Sequence, residues 1–277
     1  MTMKNILVPT DFSETAENAL FYAAEIATIS NANLIIFHVY NYPVDTADLS
    51  LIASVYDQFE NLNLESLREL RTKVQAKFGS DLSVEFLCKM GSVVHEVNEL
   101  IQTKNIDLVV IGTQGKGYLQ ERFVGSTASS LIQQSTKPVL VIDAKIKFEP
   151  IKEIALAFDY KDEESLTAID LVISFSNLFK AQLSILNVLT QGEVIPSIPE
   201  AIAGVKLANK LEGVEHSFHF IKNEDVVTGI NEFIVVKSID LIAMIPKKHS
   251  FLANLLHESN SKKMAFHSIV PFLALPA

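Results

Sequence analysis

The apolar positions of this chain switch between a period of two and a period near 3.6, and the whole pattern runs through twice. Residues 5–8 (NILV) are a short apolar run of strand type, closed by Pro9-Thr10-Asp11. Ala16, Ala19, Leu20, Ala23, Ile26 and Ala27 then recur at three and four residues. That spacing predicts a helix whose stripe of small residues suits close packing on a sheet. Either Asp11, with Glu14 three residues on, or Ser13 can open it. Residues 34–39 (LIIFHV) read as a buried strand, so strand, helix and strand make a right-handed βαβ unit. A long helical pattern through Ile52, Val55, Phe59, Leu67, Leu70 and Val74 follows, with 61–63 as an interruption, and stops at Gly79. Residues 82–90 alternate as a strand. Gly91-Ser92 turns into a helix carrying Val93, Val94, Val97, Leu100 and Ile101, with Ser92 as its N-cap. A strand at 108–111, one more helix and a strand ending at Ile142 complete the set. The order suits a doubly wound parallel sheet of five strands.

Residues 145–149 are polar and charged and lead into Pro150, a linker composition, after which the pattern restarts. Residues 153–158 (EIALAF) mirror 5–8, Asp159 stands where Asp11 stood, and 181–188 mirror 32–39. Asp107 and Asp240 are 133 residues apart, as are Pro138 and Pro271, so the terminal segments align without a gap. A period this long means tandem domains rather than a solenoid. The expected units are 1–146 and 151–277.

Composition narrows the class. The 277 residues are 48% hydrophobic and 20% charged, as in a compact globular protein and unlike a disordered one. No apolar stretch reaches the roughly eighteen residues of a membrane span, and residues 1–4 lead straight into a strand without a signal-peptide core. The expected location is the cytoplasm. Cys88, the single cysteine, lies in an alternating run and reads as a core or half-buried thiol. Formal charge is 23 minus 33, or −10; divided at Lys147 it is 12 minus 17 and 11 minus 16, so each half carries −5. With no basic stripe, nucleic acid and acidic membranes are not expected partners.

The chemistry concentrates between Asp107 and Ile142. Leu108, Val109, Val110 and Ile111 run into Gly112, Gly115 follows, and after nine intervening residues comes Gly125-Ser126-Thr127 ahead of a helical pattern. Glycines let backbone amides approach an anion at positive φ, and a helix opened by Ser126 or Thr127 adds unpaired donors and the positive end of its dipole. A P-loop fits worse, because Gly115-Lys116 continues into Gly117, and a dinucleotide fingerprint would need a small residue at Gln120. Asp11, at the carboxyl end of the first strand, stands where open parallel sheets place ligands and can accept bonds from ribose hydroxyls; helix capping is its other role. His38 suits a satisfied strand-end histidine. No carboxylate cluster has metal-site spacing, and His216 and His219 face opposite sides of a strand, so no catalytic residue and no metal ligand is assigned.

The spacing Gly112, two residues, Gly115, nine residues, Gly125-Ser126 resembles the ATP-binding signature of the universal stress protein family. The resemblance implies two tandem doubly wound α/β domains, Rossmann-like and of adenine nucleotide alpha hydrolase-like architecture. Each has a five-stranded parallel sheet flanked by helices. It implies a site in the first half only: Gly112, Thr113, Gly115, Gly125, Ser126 and Thr127 at the phosphates, Asp11 of Pro9-Thr10-Asp11 at the ribose, and Val39 and Ile111 at the adenine. The implied ligand is ATP, with Mg²⁺, and the implied role is a stress-response sensor or regulator with at most slow hydrolysis. The alternative is a fold-retaining protein-interaction module without nucleotide. The resemblance also implies that the two units pair through their last strands, 139–142 and 272–275, within one chain, which removes two exposed edges. An unidentified protein partner and a further homodimer belong to the same expectation.

At the aligned positions the second half has Ala157-Phe158 for Pro9-Thr10, Glu224 for Gly91, Ile245 for Gly112, Pro246 for Thr113, Lys248 for Gly115 and Glu258 for Gly125. A proline donates no backbone bond and Glu258 would meet phosphate with like charge, so this half cannot form the same cradle. Lys247, Lys248 and His249 read as a solvated cluster.

Overall fold

The structure, a computed structural model, describes residues 3–41, 49–113, 125–158, 166–189, 198–245 and 269–276. In the first half β1 (Asn5–Pro9), α1 (Glu14–Ser30), β2 (Asn33–Tyr40), α2 (Leu49–Phe78), β3 (Val84–Met90), α3 (Val93–Thr103), β4 (Leu108–Gly112), α4 (Ser126–Gln134) and β5 (Val139–Ile142) alternate. The second half repeats the order as far as its last crossover, which lies outside the described residues, with β6 (Glu153–Ala157), α5 (Leu166–Phe179), β7 (Gln182–Leu189), α6 (Ile198–Lys210), β8 (His216–Lys222), α7 (Val226–Lys237), β9 (Leu241–Met244) and β10 (Phe272–Ala274). Asn61 and Asn63 do not interrupt α2, which runs through them.

One sheet carries all ten strands in the order β3-β2-β1-β4-β5-β10-β9-β6-β7-β8. Each half is a five-stranded parallel sheet, and the halves meet where β5 and β10 pair antiparallel, Leu140 opposite Leu273. The expected pairing of last strands is therefore present, and it removes the edges that β5 and β10 would otherwise expose. Successive side chains on each strand feed opposite layers. Ile6, Val8, Leu34 and Ile36 pack under α1 and α2, while Leu7, Ile35 and Phe37 pack under α3 and α4. The small residues of α1 do what their spacing predicts: Ala16, Ala19, Ala23, Ala24 and Ala27 are all buried.

The same backbone device opens both halves. Asp107 Oδ2 accepts from the amides of Lys4 and Asn5 at 2.7 and 3.1 Å, and Asp240 Oδ2 accepts from those of Lys152 and Glu153 at 2.7 and 2.9 Å. Each aspartate ties the start of a central strand to the strand it crosses over to join. Between the halves, Asn18 on α1 donates to the carbonyls of Asp143 and Ile146 at 3.0 and 2.8 Å and accepts from Lys147 Nζ at 2.9 Å. Tyr22, one turn on, packs edge-to-face on Phe148 at 5.0 Å. The linker is thus fastened to α1 along its length.

Candidate functional site

In each half the strand order reverses beside the first strand, between β1 and β4 and between β6 and β9. In open α/β sheets ligands lodge outside the carboxyl ends of the strands at such a reversal. A cleft of about 200 Å³ opens there in the first half. Pro9, Thr10 and Asp11 leave β1 along one side, and Ile111, Gly112 and Thr113 leave β4 along the other. Phe37, Val39 and Val93 make the apolar wall, Ala16 closes the side toward α1, and Gly125, Ser126, Thr127 and Ala128 bring in the start of α4.

The turn after β1 is held by its own polar groups. Asp11 Oδ1 accepts from the Ser13 amide and hydroxyl at 3.1 and 2.6 Å, and Ser13 Oγ accepts from the Ala16 amide at 3.2 Å, so Ser13 is the N-cap and Asp11 supports it. Phe12 between them sits at φ 61°, a left-handed conformation that costs a residue with a side chain about 1–2 kcal/mol. It is offset by the bond from its amide to Thr10 Oγ1 (3.1 Å) and by ring contact with His38 at 4.4 Å. His38 Nδ1 donates to the Thr10 carbonyl at 2.7 Å, and the Thr10 amide donates to Phe37 O at 2.8 Å. His38 fixes this turn, in keeping with a strand-end role.

Two features of the opposite side differ from the sequence expectation. Gly112 is extended, with no positive φ, and its missing side chain serves another purpose: a Cβ there would lie 2.7 Å from Thr15 Cγ2 and 3.0 Å from Thr15 O. The glycine lets the first turn of α1 lie against the end of β4. Gly125, at φ −59° and ψ 153°, is itself the N-cap of α4, with no side-chain cap; Ser126 and Thr127 are the first helical residues. The first amides of a helix have no intrahelical acceptor, and here they line the cleft with the dipole's positive end. Thr113 ties the wall together: its amide donates to Ile142 O at 3.0 Å, its carbonyl accepts from the Gly125 amide, and its hydroxyl donates to Asp143 at 3.3 Å.

Ten of the eleven residues named from the sequence line this one cleft; Gly115, with Lys116 and Arg122 of the same loop, lies outside the described residues. The sequence reading did not assign Ala16, Phe37, Val93 and Ala128 to the site. Phe37 and Val93 sit where alternation and helix period had marked core, so burial and cleft lining carried the same signal. Among the described lining residues there is no lysine or arginine, and Asp11 is the one carboxylate. Among the described residues no group of three or more His, Cys, Asp or Glu side chains could hold a metal, and no helix is long and apolar enough to cross a membrane.

The second half repeats the frame with other contents. Asn187 Nδ2 donates to the Phe158 carbonyl at 2.9 Å, as His38 does to Thr10, and the Phe158 amide donates to Leu186 O at 2.9 Å. Phe158, in the place of Thr10, is buried in the core. The strand registers put Asn223 in the place of Gly91, since the amides of both close onto the end of the neighbouring strand (Tyr40 O and Leu189 O, each 3.1 Å). Glu224, expected there, is one extra residue before the N-cap Asp225. Pro246, Lys247, Lys248, His249 and Glu258 lie outside the described residues.

Comparison with known proteins adds the following. The model of the universal stress protein family matches residues 2–143. Universal stress protein MJ0577 of Methanocaldococcus jannaschii is 30% identical over 155 residues, which cover 51% of this chain and 96% of that protein. A universal stress protein from Archaeoglobus fulgidus, of known crystal structure, aligns over 97% of this chain and 94% of its own at 18% identity and a TM-score of 0.71. One from Pseudomonas aeruginosa UCBPP-PA14 aligns over 99% and 93% at 16% and 0.61. These two likenesses cover both halves and concern the fold.

Proposed function

The chain belongs to the universal stress protein family, and from that premise we propose that its first half binds an adenine nucleotide, ATP with Mg²⁺, and acts as a stress-response sensor or regulator. The two units part within 147–150. The observation that carries the reading is the meeting of the uncapped start of α4 with an apolar wall at the reversal of strand order. Val39, Ile111, Phe37 and Val93 suit a flat apolar base, Asp11 and Thr10 a ribose, and the amides and hydroxyls of 126–128 a phosphate. About 200 Å³ is less than the roughly 300–1,000 Å³ of a typical ligand pocket, so the described walls suit part of a nucleotide. With no cation among the described lining residues, neutralisation falls to the helix dipole, to Mg²⁺ carried in on the phosphates, and to Lys116 or Arg122.

Turnover is not part of the proposal. Hydrolysis needs a positioned water and a base, and Asp11 Oδ1 already accepts two bonds from Ser13. Isothermal titration tests the reading. One ATP per chain is expected, tighter with Mg²⁺ than without. Gly125→Glu is expected to abolish binding while the protein stays folded, because the backbone at 125 lies where any residue fits. Silence at millimolar ATP would overturn nucleotide binding and leave the interaction module; binding unaffected by Gly125→Glu would remove the phosphates from α4.

A further inference from the structure

Thr113 lines the cleft and also reaches the segment that leads into the second half. Its hydroxyl donates to Oδ2 of Asp143, the residue that follows β5. Asp143 in turn organises that segment: its Oδ1 accepts from the Lys145 amide at 3.0 Å, and its carbonyl accepts from the Ile146 amide at 3.1 Å. Asn18 on α1 holds the carbonyls of Asp143 and Ile146, and Lys147 bonds back to Asn18. One carboxylate therefore joins the cleft wall to a strap, residues 143–148, whose far end packs on Tyr22 and the core through Phe148. The joint belongs to the first half alone. At the offset of 133 residues Thr113 becomes Pro246 and Asp143 becomes Pro276, and a proline side chain neither donates nor accepts.

The bond from Thr113 to Asp143 is weak by its geometry. At 3.3 Å it is longer than the roughly 2.5–3.0 Å of an ordinary bond between a hydroxyl and an oxygen. A good bond from a hydroxyl to a carboxylate or phosphate is shorter still, about 2.5–2.7 Å. On its other side Thr113 meets the start of α4, where the Gly125 amide donates to its carbonyl and the first helical amides line the cleft. A hydroxyl has one proton to give. Resting on the nucleotide reading above, we propose that the Thr113 hydroxyl is a donor shared between strap and ligand: Asp143 takes its proton in the absence of nucleotide, a phosphate oxygen takes it when nucleotide binds, and Asp143 is then released from the cleft wall. The released carboxylate carries the same charge as the phosphates, and no lysine or arginine pairs with it among the described residues. Occupancy of the first half is thereby passed to the strap that leads to β6. By linkage, the strap bond and nucleotide binding weaken each other.

Isothermal titration of the full chain through a double-substitution cycle tests this. Asp143→Asn keeps an acceptor for the Lys145 amide and removes the charge, and it is expected to tighten ATP about threefold to tenfold, the value of one hydrogen bond. Thr113→Val is expected to weaken ATP by a similar factor. In the Thr113→Val chain, Asp143→Asn leaves only the screened effect of the charge, so the gain should shrink to about twofold or less; Thr113→Ser, which keeps the hydroxyl, should retain it. By NMR, saturating ATP is expected to speed amide exchange of Lys145 and Ile146 about threefold in the parent, as their acceptor Asp143 loosens, and to leave it unchanged in Thr113→Val. Melting confirms that each variant is folded, and the exchange measurement on the parent needs no variant. No heat from the parent at millimolar ATP overturns the nucleotide reading and the shared donor with it. With the parent binding ATP, the shared donor alone is overturned if Asp143→Asn weakens binding, or tightens it equally in the threonine and valine chains, or if exchange at Lys145 and Ile146 slows or stays the same.

Discussion

Gly112→Ala separates two accounts of why a glycine ends β4. If it is there to curl around phosphate, alanine should spare stability and lose ligand. The contacts say otherwise. The added Cβ meets Thr15 Cγ2 at 2.7 Å, and Thr15 O and C at 3.0 and 3.1 Å, distances at which something must move. Cγ2 can rotate aside, but the backbone of Thr15 belongs to the first turn of α1, which Ser13 and Asp11 hold in place. Inserting a methyl into a packed contact of this kind costs about 1–3 kcal/mol. For a chain of this size each kcal/mol lowers the melting midpoint by about 2–4 °C. The assay is thermal and urea unfolding of Gly112→Ala, Thr15→Ser and the pair. Thr15→Ser removes Cγ2 and leaves the backbone contacts, so the double variant should recover part of the loss, with a coupling of about 0.5 kcal/mol or more. Ala16 and Gly112 both line the cleft, so nucleotide affinity should fall along with stability. A Gly112→Ala protein that melts like the parent and only binds ATP more weakly would refute the packing account.

Other outcomes follow from single contacts. Asp107→Ala and Asp240→Ala each strip a carboxylate from two strand-opening amides and should cost about 1–3 kcal/mol, the value of bonds to a charged group, read by urea midpoint. Burial first, and then the charge of Lys237, hold the pKa of His219 below its ordinary value. The stability it contributes is therefore full above about pH 6.5 and lost as pH falls below that, because the unfolded chain then binds the proton more tightly; urea midpoints between pH 7.5 and 5 should flatten in His219→Gln. The Cys88 thiol is pushed up to about 11 by burial and by Glu60, so labelling by a disulfide reagent at about pH 8 should be slow in the folded protein and fast in urea. Ending the chain after Val270 removes β10, exposes the facing edges of β5 and β9, and should give aggregation measurable by light scattering.

Periodicity carried most of the fold because each helix and strand is buried on the face its own spacing defines. The 133-residue offset needed only two aspartates and two prolines. What it could not carry were contacts between elements distant in sequence. Thr15 against Gly112 leaves no mark on either local pattern, which is why the glycine read as a loop residue. The left-handed Phe12, held by Thr10 and His38, is equally silent, since nothing in Asp-Phe-Ser asks for positive φ. The one-residue insertion before Asp225 was misplaced for a related reason: only strand register shows that Asn223, not Glu224, follows β8 as Gly91 follows β3.

The two halves also show which parts of the site belong to the scaffold. Asn105 and Ser238 both turn left-handed, at φ 49° and 51°, before the paired aspartates Asp107 and Asp240, and His38 and Asn187 make the same bond to the chain leaving the first strand. These devices hold strands in register and are present twice. Thr10 and Gly112, by contrast, become Phe158 and Ile245, one filling the core and the other carrying a side chain that the Gly112–Thr15 contact excludes. The second half thus keeps these register devices and pairs β10 with β5, while two residues of the cleft lining are replaced. On that reasoning, Gly125→Glu should leave the melting of the unliganded protein nearly unchanged while removing the rise that ATP gives the parent, because the scaffold does not depend on what the cleft contains.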